Sequence, residues 1–459
     1  MQDENALSRT LQSRHVAMIS LGGIIGAGLF VGSSAAIAAI GPAVIVSYLG
    51  AGILILLSMR MLGELALAHP EVGFFTDYAR KVLGPGFGFV GGWLYWYFWM
   101  IVVAVEAIAG AIIIAEWIAL PVWLIGLVLL ICLTVVNHFS ARSYGEFEFW
   151  FSSIKVAAIL AFILVTGGYL LGFAPEGSLG FANLYLHGGF APFGPLTAVA
   201  GIATVIFSLT GAEITTVAAV ESKEPKRAIA AMTTTLTLRV LLFYLASMTL
   251  IMGTVAWNTL KPGTSPFVAA LTEIGIPGAG LAMNIVVLTA VLSCLNSGLY
   301  VTSRVLFALA ANGDAPQALI KLNARKVPAR AILTGSAFGY AALIASVVSP
   351  AGVFSFLVNA SGAAMLILYL MIGAAQIQNR KTMTKAKLEN LPLRMWLFPY
   401  LSYATEAGIL AVLIAMAFYP DLSSQLVLTL AFTAFLWLAY ALLRKAGPAG
   451  SNVVKTAKS

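Results

Sequence analysis

The chain has 459 residues, of which 60% are hydrophobic and only 10% charged, with a formal net charge of +8. A soluble domain carries roughly 25% charged residues, so the composition excludes an ordinary water-soluble globule and points to a polytopic all-α membrane protein. The positive charge does not indicate nucleic acid, because Lys and Arg fall in the breaks between apolar runs instead of forming one basic face.

Apolar runs predict twelve transmembrane helices, centred near Ile25, Ile53, Met100, Leu129, Leu160, Thr204, Ser247, Thr289, Leu343, Leu366, Val412 and Ala434. A polar head (1–14) precedes the first and lacks the pattern of a cleaved signal peptide. With both termini placed in the cytoplasm, nearly every Lys and Arg lies inside; only Lys261 falls outside and only Lys155 within a span. The positive-inside rule therefore fixes the orientation.

The first span contains LGGIIGAGLFVGS, with Gly22, Gly23, Gly26, Gly28 and Gly32 crowded into an uncharged stretch. Glycine weakens a helix by about 1 kcal/mol relative to alanine, so an interruption is expected there. Two GxxxG spacings, Gly22–Gly26 and Gly28–Gly32, offer helix packing as the other reading. GAGLFV lacks the third glycine and the preceding strand of a dinucleotide loop.

The third span carries Glu106 behind the aromatic run WLYWYFWM, whose rings line a cavity or form an interfacial belt. Cys132 in the fourth span and Cys294 in the eighth read as free thiols packed as small hydrophobes. Lys155 lies in the fifth span. A buried lysine suits proton coupling, as does Glu106; the alternatives are snorkelling for the lysine and a structural hydrogen bond for the glutamate. The loop at 172–193 has no Lys or Arg and is expected to pack over the outer mouth.

The sixth span repeats the oddity of the first, with Ser208, Thr210, Gly211 and Glu213 at its centre. An unpaired carboxylate costs several kcal/mol near mid-membrane, so Glu213 must face a cavity or a partner. Two interrupted spans five helices apart predict two inverted five-helix repeats with the ligand where the breaks meet. Freed N–H groups of the first break would attract a carboxylate, and freed carbonyls of the sixth an ammonium. Such a pair of breaks holds a zwitterion with no charged side chain required. In the eighth span Ser293 and Asn296 share a face suited to interhelical hydrogen bonds. Glu406, in the eleventh, reads as structural.

HVAMISLGGIIGAGLFVGS, MRMLGELA, YGEFEFWFSSIKV, GAEITTVAAVESKEP, SCLNSGLYVTSRVLFALAANGDAP, SGAA and LRMWLFP together resemble the bacterial amino acid permease family of the amino acid–polyamine–organocation superfamily, from His15 to the twelfth span. Within it the chain is most similar to the γ-aminobutyrate (GABA) permeases. The resemblance implies a LeuT-like fold and substrate contacts on Ile24, Gly26, Ala27 and Gly28, and on Phe207, Ser208, Gly211, Ala212 and Glu213. It also places Lys155 where sodium sits in sodium-coupled relatives. Most family members carry a hydroxyl residue at the Ala27 position; alanine here fits the GABA branch and a longer, more extended ligand.

The expected layout is a cytoplasmic segment (1–14), a first repeat (15–175), a second, inverted repeat (190–378), a cytoplasmic loop (379–400), two extra helices (401–443) and a cytoplasmic tail (444–459). The expected function is a proton-coupled GABA symporter of the bacterial inner membrane working by alternating access. Its partners would be a small zwitterionic amino acid, a proton and the bilayer, with no nucleic acid, cofactor or metal. Permeases for aromatic amino acids, proline or other α-amino acids are the alternatives within transport, and a sensor without net transport is the alternative outside it. Neither an enzyme's metal or nucleophile cluster nor a channel's repeated filter loops is visible.

Overall fold

The computed structural model describes residues 25–72, 75–139, 144–173, 180–211, 213, 240–323 and 327–445. The polar head, the tail beyond 445, Ile24 and Ala212 lie outside the described residues. Those described are helical, with no strand among them.

A π-helical stretch (Gly28–Gly32) leads into α1 (Ser33–Ile40) and, past a turn at Gly41, α2 (Val44–Ala68). A short amphipathic helix, α3 (Phe75–Leu83), precedes the long α4 (Pro85–Ala115), followed by α5 (Val122–Phe139) and α6 (Tyr144–Leu170). After the single-turn α7 (Asn183–Leu186), α8 (Pro195–Ala200) and α9 (Ile202–Leu209) run to a break. Then come α10 (Ser247–Thr254), α11 (Pro266–Ile274), α12 (Ala279–Ala311), α13 (Ala329–Ala345) and α14 (Pro350–Thr382). The short α15 (Lys385–Glu389), α16 (Tyr400–Met416) and α17 (Pro420–Lys445) close the chain.

Local chemistry marks the helix starts. α4, α8, α11 and α14 begin on proline, whose missing N–H is unneeded in a first turn. Ser349 Oγ caps α14 by accepting the Gly352 amide at 3.1 Å.

Six helical stretches are long and apolar enough to cross a membrane, the first of them spanning Gly28–Ala68. Shorter apolar helices occupy 122–138, 195–209, 242–254, 329–345 and 400–416. Every predicted centre except Ile25 falls inside a helix, and Ile25 lies just ahead of one.

α4 is the axis of the molecule, packed by α3, α5, α12, α13 and α14 and buried on nearly all sides. α6 and α17 lie outside it and expose large apolar side chains, such as Leu164 (76% exposed) and Val427 (63%). Lipid accounts for such a surface where water would not. Cys132 belongs to this exposed surface, contrary to the expectation that it is packed inside; Cys294 is buried.

Polar networks tie the helices at the α3 end. Glu64 of α2, wholly buried, accepts from Arg380 Nε at 2.7 Å and Nη2 at 2.5 Å, from Gln376 Nε2 at 2.9 Å and from the Met395 amide at 2.6 Å. Sequence reasoning missed Glu64 as a buried charge, although MRMLGELA contains it. Arg80 of α3 pairs with Asp77 at 3.3 Å and with Asp314 beyond α12. Burial holds the Asp314 carboxyl above its usual range, outweighing the opposite pull of Arg80. At the other end Asn183 Nδ2 donates to the carbonyls of Gly253 and Thr254, and Trp257 Nε1 to that of His187. The described part of the loop at 172–193 is thereby fastened over α10 and the segment after it.

Candidate functional site

The sequence placed two helix interruptions side by side, and the structure brings them into direct contact. A Cβ on Gly28 would lie 2.6 Å from Ser208 Cα and 3.2 Å from the Phe207 ring, so the first break rests on the backbone of α9. Gly362, in the SGAA motif of α14, presses on the same helix from another side: a Cβ there would lie 1.8 Å from the Ala203 carbonyl oxygen. Small residues permit this approach of backbones. The packing reading of the first-span glycines therefore holds for Gly28; the part of the expected interruption ahead of Ile25 lies outside the described residues.

The second break forms where α9 ends. Thr210 is extended (φ −68°, ψ 163°), and Gly211 has φ +96°, which a residue with a side chain rarely adopts. The Gly211 amide donates to Glu213 Oε2 at 2.9 Å, and Tyr95 Oη donates to Glu213 Oε1 at 3.3 Å. Glu213, expected to need a cavity or a partner, has partners. Freed carbonyls are engaged too: Tyr244 Oη donates to Ser208 O at 2.5 Å, and Thr210 Oγ1 to Phe207 O at 2.8 Å.

At the first break, the Ala27 amide donates to both oxygens of Glu106, at 3.0 and 3.1 Å. Glu106 also hydrogen-bonds Cys294 and lies within electrostatic reach of Lys155. A Cβ on Gly26 would lie 2.6 Å from Glu106 Oε1 and 2.7 Å from Cys294 Sγ. Lys155 Nζ donates to Ser293 Oγ at 3.1 Å, so α6 is tied to α12 beside the break. Lys155 is fully buried, which removes the snorkelling alternative. Asn296 instead meets Asn137 of α5, at 2.7 Å.

Each break thus presents an amide held by an internal carboxylate, Ala27 by Glu106 and Gly211 by Glu213. Both carboxylates were singled out in the sequence; the structure adds which amide each one holds. Of the predicted residues, Gly26, Ala27, Gly28, Phe207, Ser208, Gly211 and Glu213 lie at this junction, with Lys155 and Glu106 beside it. Sequence reasoning missed Tyr95, Tyr244 and Tyr48, whose Oη lies 3.4 Å from Ser208 Oγ.

Aromatic clusters flank the junction toward both ends. Phe267 of α11 meets Phe30 (5.0 Å between centroids) and Phe162 (4.7 Å). Tyr95 packs on Phe75 of α3 at 4.4 Å. No group of His, Cys, Asp and Glu among the described residues could hold a metal ion.

The sequence model of the amino acid permease family matches residues 15–449. A γ-aminobutyric acid permease of Bacillus subtilis (strain 168) is 46% identical, over 97% of this chain and 95% of its own length. The γ-aminobutyric acid permease of Escherichia coli (strain K12) is 41% identical, over 91% of this chain and 90% of its own. Among solved structures, a manganese transporter mutant of Eremococcus coleocola superposes with a TM-score of 0.59 at 13% identity, covering 94% of this chain and 92% of that one. That likeness shows a shared LeuT-like transporter fold.

Proposed function

The chain belongs to the amino acid permease family and is a multi-pass membrane transporter, not an enzyme; from that premise we propose that it is a proton-coupled GABA symporter. It works by alternating access across the bacterial inner membrane. Twelve spans, arranged as two inverted repeats of five and two further helices, keep both termini in the cytoplasm.

The observation that carries this reading is the carboxylate-capped amide at each break. A zwitterion can engage both ends: its carboxylate takes the Ala27 amide from Glu106, and its ammonium donates to Glu213, which still accepts the Gly211 amide. GABA holds its two charges apart on a flexible chain, and Ala27 has no hydroxyl to draw the carboxylate closer. Ile24 and Ala212 would complete the contacts. Relatives named as γ-aminobutyric acid permeases support the same substrate.

Coupling follows from what the ligand displaces. Glu106, deprived of the amide, is a buried charge beside Lys155, and a proton on that pair neutralises the excess. Substrate and proton then favour each other's binding by the same factor, as linkage requires. Protonated Lys155 holds α6 to α12 through Ser293, and losing its proton inside loosens that tie.

Uptake into proteoliposomes tests the proposal. GABA should accumulate against its gradient when a pH gradient is imposed, and Lys155→Ala should abolish accumulation. Undiminished uphill uptake by that variant removes Lys155 from coupling. Failure of GABA to compete with any transported amino acid removes the substrate and leaves the family membership untouched.

A further inference from the structure

The segment 381–400, between α14 and α16, has an alternating pattern that the transport cycle does not use. Leu391, Leu393 and Met395 are buried, while Pro392, Arg394 and Trp396 are exposed. Alternation of this kind puts one face on the protein and the other outward. The inward face is fixed in place: the Met395 amide donates to buried Glu64, and Arg60 Nε donates to the Arg394 carbonyl at 2.8 Å. The Arg60 guanidinium also lies 3.7 Å from the centroid of the Trp396 ring.

The outward face has two kinds of side chain. Leu397 is 78% exposed and Tyr400 81%, beside exposed Trp396. Lys381, Lys385, Lys387 and Arg394 are all exposed, against a single acid in the segment, Glu389. The segment leaves one apolar helix, α14, and enters another, α16, so it lies where the apolar surface meets the polar phase. Aromatic rings favour that depth, and cations there are drawn to acidic headgroups.

We infer that the segment 381–400 is a docking surface for acidic phospholipids. Trp396, Leu397 and Tyr400 enter the acyl–headgroup boundary, and the four cations lie over the lipid phosphates. Because the clamp to Glu64 and Arg60 fixes the backbone, the contact selects by headgroup charge at one place instead of following the average composition of the bilayer. The inference rests on the reading of the chain as a membrane transporter with its α3 end in the cytoplasm.

The test is photo-crosslinking of the purified full chain in nanodiscs of zwitterionic phospholipid. Trace phosphatidylglycerol or phosphatidylcholine, each with the same diazirine acyl chain, is added and labelled peptides are mapped. Phosphatidylglycerol should label the segment roughly fivefold more than phosphatidylcholine. Replacing Lys381, Lys385, Lys387 and Arg394 together by Gln should bring that ratio to near one, with labelling elsewhere unchanged. Replacing Trp396 by Ala and Leu397 by Ser should lower labelling by both probes. Equal labelling of the unaltered chain, or a preference that survives loss of the four cations, overturns the inference. Impermeant maleimide on Ala386→Cys in intact cells, compared with the parent chain, reports sidedness separately. A reversed orientation is thereby told apart from absence of lipid preference.

Discussion

Glu106 and Ala27, 79 positions apart in the chain, meet at the first helix break, where both carboxylate oxygens accept the Ala27 amide at 3.0 and 3.1 Å. A backbone donor of the proposed site is therefore already engaged by one of the protein's own side chains. Glu106→Gln keeps an acceptor for the amide but removes the charge that needs a proton. Exchange of labelled GABA across proteoliposomes should survive, while accumulation driven by a pH gradient falls at least about tenfold. Intact gradient-driven accumulation by this variant would show that Glu106 takes no part in coupling.

Backbone proximity at the junction makes the next prediction. A methyl at Gly28 meets the Ser208 backbone at 2.6 Å, whereas one at Gly32 meets nothing closer than 3.4 Å. Overpacking that side chains cannot relieve costs about 1–3 kcal/mol. Gly28→Ala should reduce initial uptake at least about tenfold, and Gly32→Ala should leave it near the parent value, at matched levels in the membrane. Equal uptake by the two variants would contradict the close packing of the first break on α9.

Helix positions and the break after α9 were legible in the sequence because hydropathy and glycine act locally. Gly211 can take a positive φ without a steric cost, and Lys155 in an apolar run must find a polar neighbour. The partners were less legible. α4 is buried on nearly all sides, so it has no polar face from which the direction of Glu106 could be read. For the same reason WLYWYFWM did not single out Tyr95 as the ring that reaches Glu213. Glu64 was overlooked because its partners, Arg380 and the Met395 amide, lie more than 300 positions away. Side chains from distant spans, Glu106 at Ala27 and Tyr95 at Glu213, complete what the local residues begin.

The Glu64 network predicts a strong asymmetry between breaking a pair and replacing it. Removing one partner of a buried ion pair costs about 3–5 kcal/mol, because the other charge is stranded. Arg380→Met leaves Glu64, wholly buried, with the hydrogen bonds of Gln376 and the Met395 amide and with Arg60 as the cation still in electrostatic reach. The variant should melt well below the parent in detergent, as read by fluorescence-detected size exclusion after heating. Adding Glu64→Gln removes the stranded charge and keeps an acceptor for Met395, so the double variant should recover much of the loss. A double variant no more stable than Arg380→Met alone would mean that the lost packing of Arg380 dominates.

Asp314 gives a pH-dependent outcome. Its carboxyl is held above the usual range by burial, with Arg80 pulling the other way. A raised value in the folded state means that the contribution to stability is complete below the ordinary aspartate value, about 3.9, and is lost as pH rises through the folded value. Asp314→Asn is neutral at every pH and keeps an acceptor for Arg80. The melting temperature of the parent minus that of the variant should therefore fall as pH rises above the ordinary aspartate value, about 3.9. Asp77 repels ionised Asp314 and so acts in the same direction as burial. A difference that stays flat or grows with pH would mean that ionised Asp314 gains more from Arg80 than it loses by burial, and the hold of α3 on the end of α12 would then be a net-attractive ion pair.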